Sequence, residues 1–252
     1  QVVLHNLDDD ANVKVDLASS DTGEATVSPS TLTFNPYNWN ATQTVTVTGV
    51  NDTDKDRHQD YHISLSTEII NPWSGTQQLG TSSYDYGRAV TRDSSGNIYV
   101  TGYTGGSLDG NSHAGSNDVF LVKYNSSGTK QWTKQFGNSS SDVGQMVSAD
   151  SSGNIYVGGY TSGSLNGNSH LGSNDAFLVK YNSSGTLQWT KQFGSSSTDV
   201  AMGLITDSAG NTYMTGYTYG TIPGNSRIGS YDAFLAKYNS SGTLQWIKQF
   251  GT

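Results

Sequence analysis

The stretch Asp93-Ser-Ser-Gly96-Asn97-Ile-Tyr99 decides the fold, because it comes back twice. It returns as Asp150-Ser-Ser-Gly153-Asn154-Ile-Tyr156 and as Asp207-Ser-Ala-Gly210-Asn211-Thr-Tyr213, each time 57 residues further on. Residues on either side keep the same frame. Asp118-Val-Phe-Leu-Val-Lys123-Tyr124 matches Asp175 to Tyr181 and Asp232 to Tyr238. Trp132, Trp189 and Trp246 are in register, as are Phe136, Phe193 and Phe250 and the glycines Gly80, Gly137, Gly194 and Gly251. No insertion interrupts the frame, so one supersecondary unit is repeated.

Each unit reads as four short strands. In the first, residues 87–93 lead through a Ser-Ser-Gly turn to residues 97–104. A longer loop over 105–117 precedes residues 118–125, and the turn Ser126-Ser127-Gly128 leads to residues 129–137. Glycine in these turns supplies the positive φ that a tight hairpin needs. In the third strand Phe120, Val122 and Tyr124 alternate with Val119 and Leu121. Both faces are apolar, so both should be covered, as they are when sheets stack.

Four antiparallel strands at this period mark a β-propeller blade. The motifs GNIYVTGYT (96–104), SNDVFLVKYNSSG (116–128) and WTKQFG (132–137) resemble the bacterial seven-bladed β-propeller repeat family, SBBP; the second strand is also similar to YVTN and NHL propellers. The resemblance covers residues 73–252. It implies an all-β propeller domain over 71–252, with blades at about 81–137, 138–194 and 195–251, in a large secreted or cell-surface bacterial protein. It implies no reaction. Three units, with a leading outer strand over 73–80, fall short of the roughly seven blades expected for closure. The expected partners are therefore further blades of the same polypeptide or neighbouring subunits, including a filament if head-to-tail contacts do not close.

Residues 1–70 lie outside the repeat. Val13, Val15 and Leu17 alternate with polar residues, as do Val45 and Val47, which are strand signals. The stretch over 19–52, SSDTGEATVSPSTLTFNPYNWNATQTVTVTGVND, resembles cadherin-like and Calx-β-like modules. It implies a partial immunoglobulin-like β-sandwich over 1–70. The opening on Val2, Val3 and Leu4 reads as a fragment or processed form.

Composition narrows the function. Hydrophobic residues make up 33% and charged residues 13% of the chain, both low for a globular protein. Yet 15 Tyr, 7 Phe and 5 Trp in regular spacing argue against disorder. The net charge of −8 makes nucleic acid an improbable partner, since phosphate binding needs clustered Lys and Arg. No Cys is present for a disulfide or thiolate metal site. No signal-peptide pattern stands at Gln1, and no apolar run reaches membrane-spanning length.

Candidate sites are few. Asp8, Asp9 and Asp10, and Asp52, Asp54 and Asp56, form acidic stretches whose oxygens suit Ca²⁺. The same residues also make ordinary solvated turns. An EF-hand is excluded, because Arg57 and Ile63 stand where Gly and Glu are needed. Asp93, Asp150 and Asp207 sit at hairpin turns, where an Asp fixes the turn through backbone N–H groups. The long loops hold ligand-rim candidates: Asn111 and His113, Asn168 and His170, Asn225 and Arg227. Histidine is lost in the third copy, and the nucleophile-elbow pattern is broken at Ala114 and Leu171, so no catalytic set emerges.

The reading is a non-enzymatic, extracellular or cell-surface structural or adhesive module. The alternative is a carbohydrate-binding propeller attached to a polysaccharide-active enzyme, which exposed Trp or Tyr on one rim would favour. If the acidic stretches hold Ca²⁺, EDTA lowers the melting temperature and added Ca²⁺ restores it. An unchanged melting temperature assigns them to solvated turns.

Overall fold

The computed structural model describes residues 12–35, 38, 40–50, 60–70 and 78–252. The chain divides into two compact units, Gln1–Thr76 and Gln77–Thr252. No α-helix occurs among the described residues, and none is long and apolar enough to cross a membrane.

In the first unit, β1 (Asn12–Ser19) pairs antiparallel with β3 (Thr31–Phe34) and β5 (Ile63–Ile70). β2 (Ala25–Ser28) pairs with β4 (Thr46–Gly49) in a second sheet. Alternation on β1 buries Val13, Val15 and Leu17 with Leu32 and Phe34, and Val27 and Val45 pack against them. Val47, its partner in the sequence pattern, is exposed. Five strands in two sheets around this cluster are the extent of the likeness to a sandwich module among the described residues.

The second unit is three four-stranded antiparallel meanders. The first sheet holds β6 (Asp85–Arg92), β7 (Ile98–Thr104), β8 (Asp118–Tyr124) and β9 (Lys130–Phe136). The second holds β10 (Asp142–Ala149), β11 (Ile155–Thr161), β12 (Asp175–Tyr181) and β13 (Leu187–Phe193). The third holds β14 (Asp199–Thr206), β15 (Thr212–Thr218), β16 (Asp232–Tyr238) and β17 (Leu244–Phe250). First strands start two residues earlier than the sequence pattern indicates, at Asp85, Asp142 and Asp199. Gln78–Gly80, the described end of the expected leading strand, form no strand. Even so, Leu79 packs with Leu108, Phe120 and Val122, standing in the repeat where Phe136 stands.

Apolar faces meet between sheets. Tyr99, Val119 and Leu121 of the first sheet bury against Val147, Ile155, Val157, Phe177 and Val179 of the second. Met146, Tyr156, Ala176 and Leu178 on the opposite face of the second sheet bury against Ala201, Met214, Phe234 and Ala236 of the third. Phe136 meets Phe177 edge to face at 6.1 Å, and Phe193 meets Phe234 in the same way at 5.4 Å. Phe120, Phe177 and Phe234 are at most 5% exposed, so the three copies superpose in burial as in sequence.

Each first strand carries a bulge, between Gly87 and Ala89, Gly144 and Met146, and Ala201 and Gly203. The bulge pushes a carbonyl towards the second strand. A Cβ on Gly159 would lie 1.9 Å from the Val143 carbonyl oxygen; Gly102 and Gly216 meet Tyr86 and Val200 in the same way. Only glycine fits there. Gly159→Ala should therefore cost several kcal/mol, at or above the ~1–3 kcal/mol of ordinary overpacking, as measured by denaturant unfolding. Gly87→Ala, whose added Cβ meets nothing within 4 Å, should shift the midpoint little.

Candidate binding rim

Most repeated polar groups are consumed inside the blades. Asp93 Oδ1 accepts the N–H groups of Ser95 and Asn97, both at 2.9 Å. Its Oδ2 accepts the Asn97 amide at 2.8 Å and the Tyr99 hydroxyl at 3.0 Å. Asp150 repeats the set with Ser152, Asn154 and Tyr156. Burial raises the Tyr99 pKa, and the Asp93 carboxylate raises it further. Lys123 and Lys180 donate to the Ser183 and Ser240 carbonyls of the following blade, both at 3.0 Å. Trp132 and Trp189 are half-buried and tilt on Tyr99 and Tyr156. The Trp189 indole N–H also donates to the Ser240 carbonyl. These indoles belong to blade packing rather than to a platform.

The long loops are pinned as well. Asp118 Oδ2 accepts the Ala114 N–H and the Gln135 amide, while Gln135 Oε1 accepts the Leu108 N–H. The rim candidates fall on these loops. Asn111 and Asn168 spend their amides on the Leu108 and Leu165 carbonyls, and Asn225 accepts from the Gln249 N–H. His113 and His170 are half-buried, with Nε2 enclosed and without a hydrogen-bond partner. Exposed Arg227 donates to the carbonyls of Gly229 and Ser230. These six side chains are not drawn into one cluster. Asp8, Asp9, Asp10, Asp52, Asp54 and Asp56 lie outside the described residues. Among the described residues, no group of three or more His, Cys, Asp or Glu could hold a metal.

Another set at the same end of the blades does come together. Tyr86 stacks on Tyr103, its cross-strand partner, at 5.0 Å, and Tyr84 lies 6.1 Å from Tyr86. Arg88, at the first bulge, lies 5.3 Å over the Tyr103 ring and donates to its hydroxyl. Tyr217 meets Tyr219 at 5.6 Å, and Tyr219 meets Tyr231 at 5.9 Å. Tyr160 is the equivalent of Tyr103 and Tyr217 in the middle repeat. Burial raises its pKa, Tyr103 raises it further, Arg88 lowers it, and Tyr217 raises it. Three tyrosines of the first blade and three of the third thus gather in two clusters. Tyr103, Tyr160 and Tyr217 repeat; Tyr84, Tyr86, Tyr219 and Tyr231 do not. They replace Ser141, Val143, Ser162 and Asn174 of the middle repeat. In the sequence this set is marked by aromatics that break the register between copies, a signal distinct from the polarity of the loop residues.

The family model SBBP, described as a beta-propeller repeat, matches residues 75–109, 131–166 and 188–222. The second and third matches begin on β9 and β13 and run through the first two strands of the next sheet. The sequence repeat is thus offset by one strand from the sheets. An uncharacterized WD repeat-containing protein, L264, of Acanthamoeba polyphaga mimivirus is 24% identical over 74% of the chain and 17% of its own length. The regulatory protein FlaEY of Caulobacter vibrioides is 28% identical over 62% of the chain and 19% of its own length. The chain spans less than a fifth of either relative. Among solved structures, rhamnogalacturonan lyase YesW aligns over 94% of this chain and 48% of its own, at 16% identity and a TM-score of 0.31.

Carboxylates crowd where blades join. Asp118, Asp142, Asp175 and Asp199 are fully buried. A Cβ on Gly137 would lie 2.5 Å from Asp118 Oδ1 and 2.9 Å from Asp142 Oδ2, so the two carboxyls of neighbouring blades flank one glycine. Burial, helped by the Asp118 charge, pushes Asp142 up to about 6 from its ordinary 3.8. Between those values the folded state holds a proton that the unfolded state releases, so this group's contribution to stability grows as pH falls from 7 towards 4. Asp93 and Asp207 are held low; their contribution is lost only as pH falls below the ordinary carboxylate range. The melting temperature should therefore rise between pH 7.5 and 5 and fall in stronger acid. Asp142→Asn should flatten the upper part of that profile, whatever its absolute stability.

Proposed function

We propose that this chain is a non-enzymatic structural or adhesive module of a larger extracellular or cell-surface protein, and that it acts through the long-loop rim. One observation carries the reading. Groups that repeat are largely spent inside and between the sheets, whereas the aromatics that break the repeat gather at one end of the blades. A rim held on a rigid scaffold is where binding function concentrates.

The outer faces of the blade stack supply a second kind of contact. Phe250 is 53% exposed and Trp246 37%, although their equivalents are half-buried between sheets. A cavity of about 400 Å³ opens beside Phe250, Tyr217 and Tyr231, and one of about 210 Å³ is lined by Leu79, Val100, Phe120 and Tyr124. These faces suit further blades, from the same polypeptide or from neighbouring subunits.

A carbohydrate-binding propeller attached to a polysaccharide-active enzyme is the second reading. It is favoured by the exposed tyrosines and weakened by the half-burial of Trp132 and Trp189. Location and adhesion are tested together. Antibodies to the full chain should label intact producing cells, and beads coated with the chain should be retained on those cells. Labelling only after lysis, or retention no better than with albumin-coated beads, overturns the proposal.

A further inference from the structure

We propose that the cluster of Tyr84, Tyr86 and Tyr103 on the first blade, with Arg88 beside it, binds a carboxylate-bearing saccharide. The inference rests on the reading of the rim as a binding surface and deepens it by naming the ligand class.

The ring chemistry comes first. A tyrosine offers a flat apolar face with a hydroxyl at its edge. A pyranose offers the complement, an apolar face of C–H groups bordered by hydroxyls. Tyr84 is 46% and Tyr86 51% exposed, which leaves ring area for stacking. Protein hot spots are instead anchors seated in desolvated pockets ringed by contacts that exclude water. This surface is a short open cluster of rings, suited to a saccharide laid across it.

The charge comes from Arg88. Its guanidinium is exposed, and none of the ion pairs among the described residues involves it. In the equivalent positions the second and third blades carry Gln145 and Met202. One unpaired cation beside stacked rings suits a planar carboxylate, which guanidinium holds through two parallel N–H donors. The net charge of −8 opposes an anionic ligand at long range. At physiological salt that repulsion is largely screened beyond ~8 Å, so the local guanidinium dominates.

The full chain is titrated by calorimetry with a mannuronate hexasaccharide, neutral mannohexaose and poly-glutamate. The mannuronate should bind more tightly than mannohexaose. Arg88→Gln should weaken mannuronate about ten-fold, roughly 1.4 kcal/mol, and leave mannohexaose unchanged. Tyr84→Ala and Tyr86→Ala should each weaken both saccharides by a similar factor. All three side chains are exposed, so melting temperatures should hold. Failure of both saccharides to bind at millimolar concentration, or binding indifferent to these variants, overturns the proposal. So does poly-glutamate binding as tightly as mannuronate, which would mean that the rim reads charge alone. Each of these results leaves the cell-labelling and bead experiments to decide separately whether the chain is a surface module.

Discussion

Sheet-on-sheet packing is the interaction on which the propeller unit depends. Each blade is four short strands, and an apolar sheet face contributes to stability only when another element covers it. The middle blade is apolar on both: Val147, Ile155 and Phe177 face the first blade, and Met146, Tyr156 and Leu178 face the third. Stability then comes largely from interfaces between repeats, as in other linear repeat architectures. Aromatic side chains, Phe177 and Phe234 among them, sit in both interfaces beside a larger number of aliphatic ones. Truncating one such as Phe177 costs ~3–5 kcal/mol in comparable cores, a large share of any domain's net stability.

Close stacking places demands on the backbone. The bulge in each first strand brings a carbonyl so near the second strand that Gly102, Gly159 and Gly216 have no room for a side chain. The bulge also turns Arg88, Gln145 and Met202 out of the ladder register. One local device therefore tightens the blade and frees a side chain at each repeat. Polar groups follow the same economy. The turn aspartates satisfy several donors each, and the loop aspartates with Gln135, Gln192 and Gln249 anchor the long loops. Buried polar groups need such partners, so these residues have little freedom to serve a ligand.

That economy explains why the rim was the least legible part of the chain. Asn111, His113 and their counterparts stand out in the sequence because polar loop residues look available. The amides of the three asparagines turned out to be engaged within the loops. The tyrosines, by contrast, looked like core. Tyr99 and Tyr156 are core, fully buried on their aspartates, whereas Tyr86 and Tyr231 stand exposed on the rim. Nothing in a single tyrosine's neighbours along the chain separates these cases.

By itself the sequence determined the all-β class, the 57-residue unit, the four strands of each blade and the burial of Phe120, Phe177 and Phe234. These follow from strand alternation, turn glycines and an unbroken frame, all of which act over a few residues. Tertiary structure alone decided which tyrosines meet. Tyr86 and Tyr103 come together through antiparallel pairing, Tyr217, Tyr219 and Tyr231 through the fold of the third blade, and Ser151 reaches the Ser208 carbonyl only because the sheets stack. Proximity between residues 57 apart is set by blade packing, a long-range property that local pattern does not encode.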